Sequence, residues 1–419
     1  MTTPQGPARM SEAAVILTQQ PAAAVTDAAT YNVTWHDTAD AFPHELWARC
    51  FPPPAEGLWW YRAFEAAKLE DQFSFYYAGI SRGGEIVGIA PAFKMDLGLE
   101  IVLPDAITPF ALWLGRTVPS LRYQRTLFVG SPCSEEGTIG LVPGVTMDEV
   151  LPALNAAVEA RAKELKAHMI VWKDVPESSV QPFEKIARKA KLFKVPSFPG
   201  TEVHNLPPDF DGYMKALTGP RRYRLKKKLK ASRAQIDVET AAIQHPGAAE
   251  MAEIWGLFWQ TYERATTQFE KLNPAFFDSL ASAETTSFVM LRRKADKQLV
   301  AFMLCYFEAG CATNKFIGID YTLGDKTFLY FRLFEEFVRW ANAMKATMLR
   351  SGQTGYHAKF DLGHELVPLY NFARNTNALL NPIYSAVGRT ITWSSLDPDL
   401  KAHVAARKKK GSGGAKDES

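Results

Sequence analysis

The chain has 419 residues with a formal net charge of +3, and 47% of its residues are hydrophobic. That length exceeds one comfortable hydrophobic core, so we expect two folded domains. A charge this close to neutral argues against a dedicated nucleic-acid coat and gives no reason to expect DNA as a partner. No run approaches the ~20 apolar residues that cross a bilayer, so no membrane span is predicted.

The two ends of the chain differ in composition from the rest. Residues 1–30 are rich in Ala, Thr, Gln and Pro, and no basic stretch precedes their short apolar run. This composition favours a disordered leader over a signal peptide. Residues 401–419 carry three consecutive lysines followed by Gly and Ser, which predicts a basic flexible tail. Four cysteines without CxxC spacing predict reduced thiols in the cytoplasm and no metal site.

The first half of the chain alternates strand and helix patterns. Arg82-Gly83-Gly84 separates two apolar runs, which is a hairpin signal. Thr146 and Glu149 have the spacing of a capping box at the start of a long helix. The patterns predict strands at 31–35, 73–81, 85–94 and 168–173, and helices at 41–50 and 148–167.

The second half repeats this order. The patterns predict strands at 287–293, 298–308, 311–319 and 346–349, and a helix at 326–345 with one apolar face. A hairpin, a long helix and a strand, found twice, indicate a duplicated α/β module. We therefore predict an α/β fold with mixed (α+β) sheets, a first module at 31–207 and a second at 208–400.

The segment Ser351-Gly352-Gln353-Thr354-Gly355-Tyr356-His357-Ala358-Lys359 follows the last of these strands. Polar, flexible residues at the end of a buried strand are where α/β sheets place their ligands. A lysine and a tyrosine among glycines suit an anionic ligand better than a hydrolytic triad. An ordinary strand-to-helix loop is the alternative.

A second candidate is the basic stretch between residues 221 and 233, which contains Arg221, Arg222, Lys226 and Lys227 among other cations. Such a run is either a solvated helix face or a phosphate-binding surface. The phosphates could belong to coenzyme A, to a charged tRNA or to an anionic acceptor.

Together, the basic helix, the segment 269–277 and the later Tyr356, Lys359 and Gly363 resemble the GNAT superfamily of acyltransferases. The resemblance is to the branch with two fused GNAT-like modules, which includes the Fem-type (FemAB-like) peptidoglycan peptidyltransferases. It is strongest between residues 213 and 373. It implies transfer of an acyl or aminoacyl group to an amine, with the donor bound across the second module.

The resemblance also places the donor pyrophosphate where the helix after the second hairpin begins. The matching segment, 320–325, keeps only Gly324 of the usual glycine-rich loop, and Asp325 would repel phosphate. The Fem-type branch also lacks that loop. The stretch 248–283 leaves no room for the long helical arm that many Fem-type enzymes carry, which favours a small acyl donor.

Acyl transfer needs a neutral amine, oxyanion stabilisation and a proton for the leaving group. We assign catalytic roles to four residues, each with packing or surface exposure as its alternative: Lys359, Tyr356, Asp320 and Tyr321. Gly324 and the four basic residues named above are predicted to bind the donor, and Gln353, Thr354, Trp59 and Trp60 the acceptor.

These observations predict a cytoplasmic N-acyltransferase that works by direct attack in a ternary complex. Acyl-CoA is the expected co-substrate, no permanently bound cofactor is expected, and the acceptor is a small-molecule or peptide amine. An aminoacyl-tRNA-dependent transferase acting on a peptide or cell-wall precursor is the first alternative. A non-catalytic module that binds an anionic ligand is the second.

Overall fold

The computed structural model describes residues 30–98, 123–137, 139–265 and 270–413, with side chains up to residue 406. The predicted leader lies outside the described residues except for Thr30. Among the described helices, none combines the length and the apolar character that spanning a membrane requires.

Fifteen strands are described, and they pair into two sheets. They are β1 Tyr31–His36, β2 Ser74–Arg82, β3 Glu85–Gly98, β4 Tyr123–Val129, β5 Gly140–Leu141, β6 Met169–Pro176, β7 Phe193–Pro196, β8 Gly200–Val203, β9 Val238–Ile243, β10 Thr286–Arg293, β11 Leu299–Glu308, β12 Cys311–Ile319, β13 Met348–Arg350, β14 Glu365–Val367 and β15 Leu369–Asn375.

Of the described helices, two connect strands that pair in parallel and three lie near the C-terminal end of the described residues. They are α1 His44–Cys50, α2 Leu58–Ala67, α3 Met147–Glu164, α4 Val180–Ala190, α5 Phe210–Ala216, α6 Gly219–Gln235, α7 Ala248–Arg264, α8 Pro274–Ala281, α9 Leu329–Ala343, α10 Tyr356–Asp361, α11 Asn381–Gly388, α12 Trp393–Leu396 and α13 Pro398–Gly413. The predicted flexible tail thus begins inside α13, and residues 414–419 lie outside the described part.

The strands form two mixed sheets, as predicted. The first has the order β1-β2-β3-β4-β6-β15-β7, with β5 paired to β3. The second has the order β14-β8-β13-β12-β11-β10-β9. In each sheet an antiparallel meander leads through one helix to a strand that pairs in parallel: β4 with β6 through α3, and β12 with β13 through α9. This is the predicted repeat.

The sheets exchange strands across the predicted boundary between residues 207 and 208. β8 precedes that boundary but pairs with β13 and β14 of the second sheet. β15 follows it but pairs with β6 and β7 of the first sheet. The exact module limits therefore stay a prediction, because each sheet contains a strand from the other half of the chain.

Local sequence signals explain several element boundaries. The predicted capping box is present: the Glu149 carboxylate accepts from the backbone N–H and the hydroxyl of Thr146, at 2.9 and 2.7 Å. A cap of this kind stabilises a helix start by about 0.5–2 kcal/mol. Pro152 lies within α3 and the helix continues past it. Helix α9 begins at Leu329, three residues later than predicted.

An aromatic cluster packs the first module against helices of the second. Phe276 of α8 lies 5.8 Å from Trp60 and 4.6 Å from Phe64, both on α2, and 5.8 Å from Phe316 on β12, measured between ring centroids. All four side chains bury apolar area, at about 1.5–3 kcal/mol for each fully buried one. This packing brings α2 beside β12, where the candidate site lies.

Candidate active site

The loop between β13 and α10 is held by one buried lysine. Lys359, on α10, donates from its Nζ to the carbonyl oxygens of Ser351, Gly352 and Gln353, the last two at 3.1 and 3.0 Å. An ammonium has three N–H donors, whereas a neutral amine has two. The charged form of Lys359 therefore satisfies three loop carbonyls at once and fixes the loop.

The surroundings of Lys359 work against that charge. The pKa of Lys359 is lowered to about 7. Burial is the main cause, Glu135 opposes the shift, and the nearby Lys315 adds to it. A lysine that titrates near neutrality is a feature of functional sites. All of its described hydrogen bonds go to backbone carbonyls. The described contacts thus direct the Lys359 ammonium at the loop, and its catalytic role stays a prediction.

A hydrogen-bonded chain crosses from β12 to α10 beneath the loop. Asn314 donates to Ser351 Oγ at 2.6 Å, and Ser351 Oγ lies 2.8 Å from His364 Nε2. His364 Nδ1 lies 3.2 Å from the carbonyl oxygen of Lys359. That oxygen only accepts, so Nδ1 carries the proton and Nε2 accepts from Ser351. Burial and the charge of Lys359 lower the pKa of His364 to about 3, which keeps it neutral.

A cluster of charged side chains is buried between the two sheets: Glu56, Glu135 and Lys315, with Tyr306 beside them. Lys315 Nζ lies 2.6 Å from Glu135 and 3.5 Å from Glu56, and its side chain is 5% exposed. Tyr306 donates its hydroxyl to Glu56 at 3.2 Å. The two carboxylates raise the pKa of Lys315 although burial opposes this, so the amine stays charged.

This buried charge cluster also reaches the loop. Glu135 accepts from the backbone N–H of Gly352 at 3.1 Å. It therefore links Lys315, on β12, to the residue that follows Ser351. Side chains of the protein thus span the gap where β12 and β13 diverge. Further along β12, the N–H of Ile319 bonds to Thr261 of α7 at 3.3 Å. Hydrogen bonds among the described residues therefore cross between β12 and the loop after β13.

The basic helix α6 lies over α9 and α10. Arg224 and Lys228 each reach Asp361 of α10, at 2.9 and 2.8 Å. Lys228 Nζ also lies 3.9 Å from the ring centroid of Phe331, in the first turn of α9. These contacts fix α6 beside the N-terminus of α9, where backbone N–H groups attract anions.

Four cations of α6 were predicted to bind the donor, and none has a carboxylate within ion-pair distance among the described residues. Lys226 and Lys227 are exposed, and Arg221 and Arg222 are half-buried. Arg222 donates to the carbonyl oxygen of Leu217 at 3.1 Å. Since their charges are not neutralised internally, they form a positive surface next to α9.

Gly324 lies between two short 3-10 turns, Tyr321–Leu323 and Asp325–Thr327, that precede α9. Its φ of +79° favours glycine, and a side chain there would meet no neighbouring atom. Asp325 lies 3.9 Å from Arg264. The segment is a compact turn next to α6, and its assignment to donor binding stays a prediction.

Comparison with known proteins finds a family that the second half resembles. Residues 202–381 match the FemAB-like family, described as peptidoglycan biosynthesis/recognition. The match covers less than half of the chain. The match covers the loop, α6 and α10, which is the region that suggested the resemblance. Comparison with curated proteins gave no match.

Three solved structures share the fold. One titled FemX has 11% sequence identity and a TM-score of 0.56, over 84% of this chain and 100% of that one. One of L-PGS from Bacillus licheniformis has 11% identity and a TM-score of 0.51, over 84% and 97%. A conserved protein of unknown function from Bacteroides thetaiotaomicron has 12% identity and a TM-score of 0.51, over 81% and 99%. At these identities the structures establish the fold alone.

The predicted α/β fold with mixed sheets is confirmed. The family match over residues 202–381 and the fold shared with FemX support the predicted resemblance to Fem-type transferases and an acyltransferase-type enzyme. The individual residue roles are a separate matter. Within residues 202–381, three of the four predicted catalytic residues have local structural partners, and their catalytic roles stay predictions.

Tyr356 is fully buried and donates its hydroxyl to the carbonyl oxygen of Pro199 at 2.9 Å. Burial raises the pKa of Tyr356, so its hydroxyl stays protonated near neutrality, and its catalytic role stays a prediction. Asp320 accepts from the backbone N–H and the hydroxyl of Thr322, at 3.0 and 2.6 Å, and so caps a turn. The ring of Tyr321 lies under the Arg264 guanidinium at 4.3 Å. Lys359 is the one whose side chain donates to three loop carbonyl oxygens.

The predicted acceptor-binding residues fall into two groups. Gln353 belongs to the loop, and its side-chain amide nitrogen is buried without a hydrogen-bond partner in the described structure. An unpaired buried donor suits a ligand oxygen. Thr354 is exposed, at a φ of +62°. Trp59 and Trp60 lie in the first turn of helix α2, which begins at Leu58.

Trp60 has a structural role, because it is fully buried and donates to Ser131 at 2.9 Å. Its ring also lies 5.2 Å from Lys315 Nζ. Trp59 packs edge-on against Tyr306, and its indole N–H is a hydrogen-bonding neighbour of the Glu308 carboxylate. Both tryptophans therefore adjoin the buried charge cluster.

Sequence reasoning missed that cluster. Lys315 lies within an otherwise apolar strand, where a charged residue is unusual unless it is paired, and this was a usable signal. Glu56 and Glu135 lie in loops about 80 residues apart and far from Lys315 in sequence, so nothing local predicts that they meet.

Proposed function

We propose that this protein is an N-acyltransferase that joins an acyl or aminoacyl group from an activated, anionic donor to an amine. The observation that carries the proposal is the position of α6. Its unpaired cations lie beside the N-terminus of α9, and Lys228 and Arg224 tie the same helix to α10. Donor phosphates on α6 would therefore be close to the loop that Lys359 holds.

The reacting groups would meet at that loop. The amine attacks the donor carbonyl carbon, a tetrahedral oxyanion forms, and the donor oxygen or sulfur leaves with a proton. Gln353 has buried N–H donors without a partner among the described residues, which suits an oxyanion. In this proposal Lys359 acts as a positioning residue, because its own N–H groups are bonded to loop carbonyls.

Two donor classes fit these requirements. A CoA thioester is the donor implied by the GNAT-like fold, but its extended arm would need space between β12 and β13. That gap is spanned by the Asn314–Ser351 and Glu135–Gly352 hydrogen bonds. An aminoacyl-tRNA can present its terminal ester from the surface instead. The hydrogen bonds that cross this gap and the family's peptidoglycan description support aminoacyl-tRNA as the second candidate donor.

The acceptor in this proposal is an amine of a peptide or a cell-wall precursor. The support is the family description, peptidoglycan biosynthesis/recognition, over residues 202–381. A cytoplasmic location follows from either donor, because both donors are made there.

Donor binding separates the candidates. Charged tRNA, uncharged tRNA and acyl-CoA are titrated separately into the full chain at low and moderate salt. Because tRNA contacts release counterions, its affinity should fall steeply as the salt concentration rises, and the affinity of a CoA thioester should fall less. Binding of neither donor class at low salt would leave only the non-catalytic reading and would refute the transferase.

A further inference from the structure

The first sheet has its own point of divergence, between β4 and β6. The two strands pair in parallel as far as Val129 and Trp172. The chain then turns away at Gly130, whose φ is +130°, and returns so that Gly137 donates its N–H to the carbonyl oxygen of Asp174 at 2.7 Å. A Cβ on Gly137 would lie 1.7 Å from the carbonyl oxygen of Lys173, so only glycine fits.

A cavity of about 120 Å³ lies at this divergence. An apolar cavity of roughly 150 Å³ is large enough for a benzene-sized molecule. Most of the wall is apolar and comes from α3, α4, β4, β6 and the loop after β4: Val129, Ile139, Met147, Trp172, Val175 and Phe183.

Trp172 gives the cavity a chemical preference. Its side chain lines the space and is 1% exposed. Its indole N–H is buried and has no hydrogen-bond partner among the described residues. A buried donor without an acceptor costs free energy. The space beside it therefore suits a molecule with an apolar body and one acceptor oxygen.

A second polar group sets the direction of such a molecule. Glu136 lines the cavity and is close to Arg350, the last residue of β13 before Ser351. Burial raises the pKa of Glu136, and Arg350 opposes this shift. Lys173, the other charged residue of the lining, is already paired with Asp174. Glu136 is therefore the one carboxyl group among the residues that line this cavity.

We propose that this cavity binds the acceptor substrate through a short branched apolar group with an adjacent carbonyl, as in the amide of a branched-chain amino acid. The carbonyl oxygen accepts from Trp172 Nε1, the branched group fills the apolar wall, and the ammonium group lies towards Glu136. This inference rests on the proposed function, because it names the acceptor class of that reaction. The binding itself involves no donor and no covalent step, so it can be measured separately.

The test uses the full chain labelled with ¹⁵N-tryptophan, in which each indole N–H gives one NMR signal. The signal missing from Trp172→Phe identifies Trp172, and the remaining indole signals show that this variant is folded. Valinamide, isobutyramide and acetamide are the probes. Because valinamide and isobutyramide carry the branched group and the carbonyl, they should shift the Trp172 signal downfield and saturate at about millimolar concentration. Acetamide, which lacks the branch, should not.

Two variants with reduced space are the controls. Ile139→Phe fills the cavity, and Ser179→Phe narrows it from the first turn before α4; either should abolish the shift. The second is available if the first does not fold. Valinamide should bind about tenfold more tightly than isobutyramide, and Glu136→Gln should remove that difference. A Trp172 signal that does not respond to either branched amide would overturn the proposed site, and ordered water would then be the expected occupant of the cavity. So would an undiminished shift in a folded variant with the cavity filled.

These outcomes are separable from those of the proposed function. If the branched amides bind but no donor transfers an acyl group to any amine, the transferase proposal fails and the site stands. If acyl transfer occurs and the Trp172 signal is silent, the transferase stands and this acceptor site fails.

Discussion

Glu135 and Lys315 lie 2.6 Å apart, fully inside the protein, and belong to different halves of the chain. The other carboxylate oxygen of Glu135 accepts from the Gly352 N–H. One side chain thus connects the loop after the first sheet's β4, the middle of β12 and the loop after β13. The position of the candidate loop depends on this connection as well as on Lys359.

Lys315→Met should destabilise the protein strongly. It leaves Glu135 and Glu56 buried without their cation, at a cost of about 3–5 kcal/mol. Urea unfolding measures this cost. Lys297→Met is the control, because Lys297 is exposed and its pair with Glu239 is worth only about 0–1 kcal/mol. Adding Glu135→Gln to Lys315→Met should recover part of the loss. Equal effects of Lys315→Met and Lys297→Met would show that the buried pair is not a major contributor.

Lys359→Met should lower kcat by about 100-fold, because loss of the three carbonyl contacts displaces the loop by around an ångström. Acyl transfer by purified protein is the measurement. Lys401→Met, at an exposed position on α13, should leave kcat unchanged. A Lys359→Met protein with wild-type kcat would remove Lys359 from the site.

Lys359 should also give stability a specific pH dependence. Its pKa is about 7 in the folded protein, below the ordinary value of about 10.4 for an unfolded chain. Between these values the unfolded chain holds the proton and the folded protein does not, so the Lys359 contribution to stability rises with pH. The slope is at most about 1.4 kcal/mol per pH unit.

The free energy of unfolding of the wild type, relative to Lys359→Met, should therefore increase from pH 7.5 to pH 9.5. The comparison with the variant cancels the titration of other groups. A difference that stays constant, or one that shrinks as pH rises, would mean that Lys359 remains charged in the folded state throughout this range.

Replacing both Lys226 and Lys227 by Gln should weaken donor binding, and should do so more at low salt than at high salt. For a tRNA donor, two lost phosphate contacts reduce the slope of log affinity against log salt by roughly 1–2. The matched control replaces Lys163 and Lys189 by Gln, two exposed lysines away from α6. If the control changes the slope equally, α6 is an ordinary solvated helix face.

Gln353→Ala should reduce kcat by about 100-fold with little change in thermal stability. Its amide has no partner among the described residues, so its removal breaks no internal side-chain hydrogen bond. Loss of one oxyanion donor costs about 2.7–4 kcal/mol where such a donor acts. Because the loop is partly exposed, we expect the smaller end of that range. A raised KM with normal kcat would place Gln353 in ground-state binding instead.

Periodic patterns predicted most of the second module. The hairpin of β10 and β11, the strand β12 and the helix α9 are set by local alternation, by turn residues and by one apolar helix face, and all are found close to the expected positions. Helix α2 was missed because its sequence, LWWYRAFEAA, is buried on several sides and shows little polar contrast. Helix α13 was missed because its lysines and glycines resemble a flexible tail.

The candidate site was only partly predictable, for a physical reason. Lys359 and Gln353 lie in one short segment with an unusual composition, so sequence alone could single them out. The roles of Tyr356 and Asp320 depend on which backbone groups fold against them, and Pro199 and Thr322 turned out to be their partners. The contacts of Glu135 with Lys315 and Gly352 could not be predicted, because Glu135 lies in a loop far from both in sequence and leaves no local signal.

The most direct test of the account is transfer itself. The full chain is incubated with aminoacyl-tRNA or acyl-CoA, each labelled in the acyl group, and with an amine such as valinamide, and the labelled amide is followed by mass spectrometry. The account predicts an amide that accumulates with at least one donor, at a rate that falls about 100-fold in Lys359→Met. Formation of the amide at the same rate in the wild type, in Lys359→Met and without protein would contradict it.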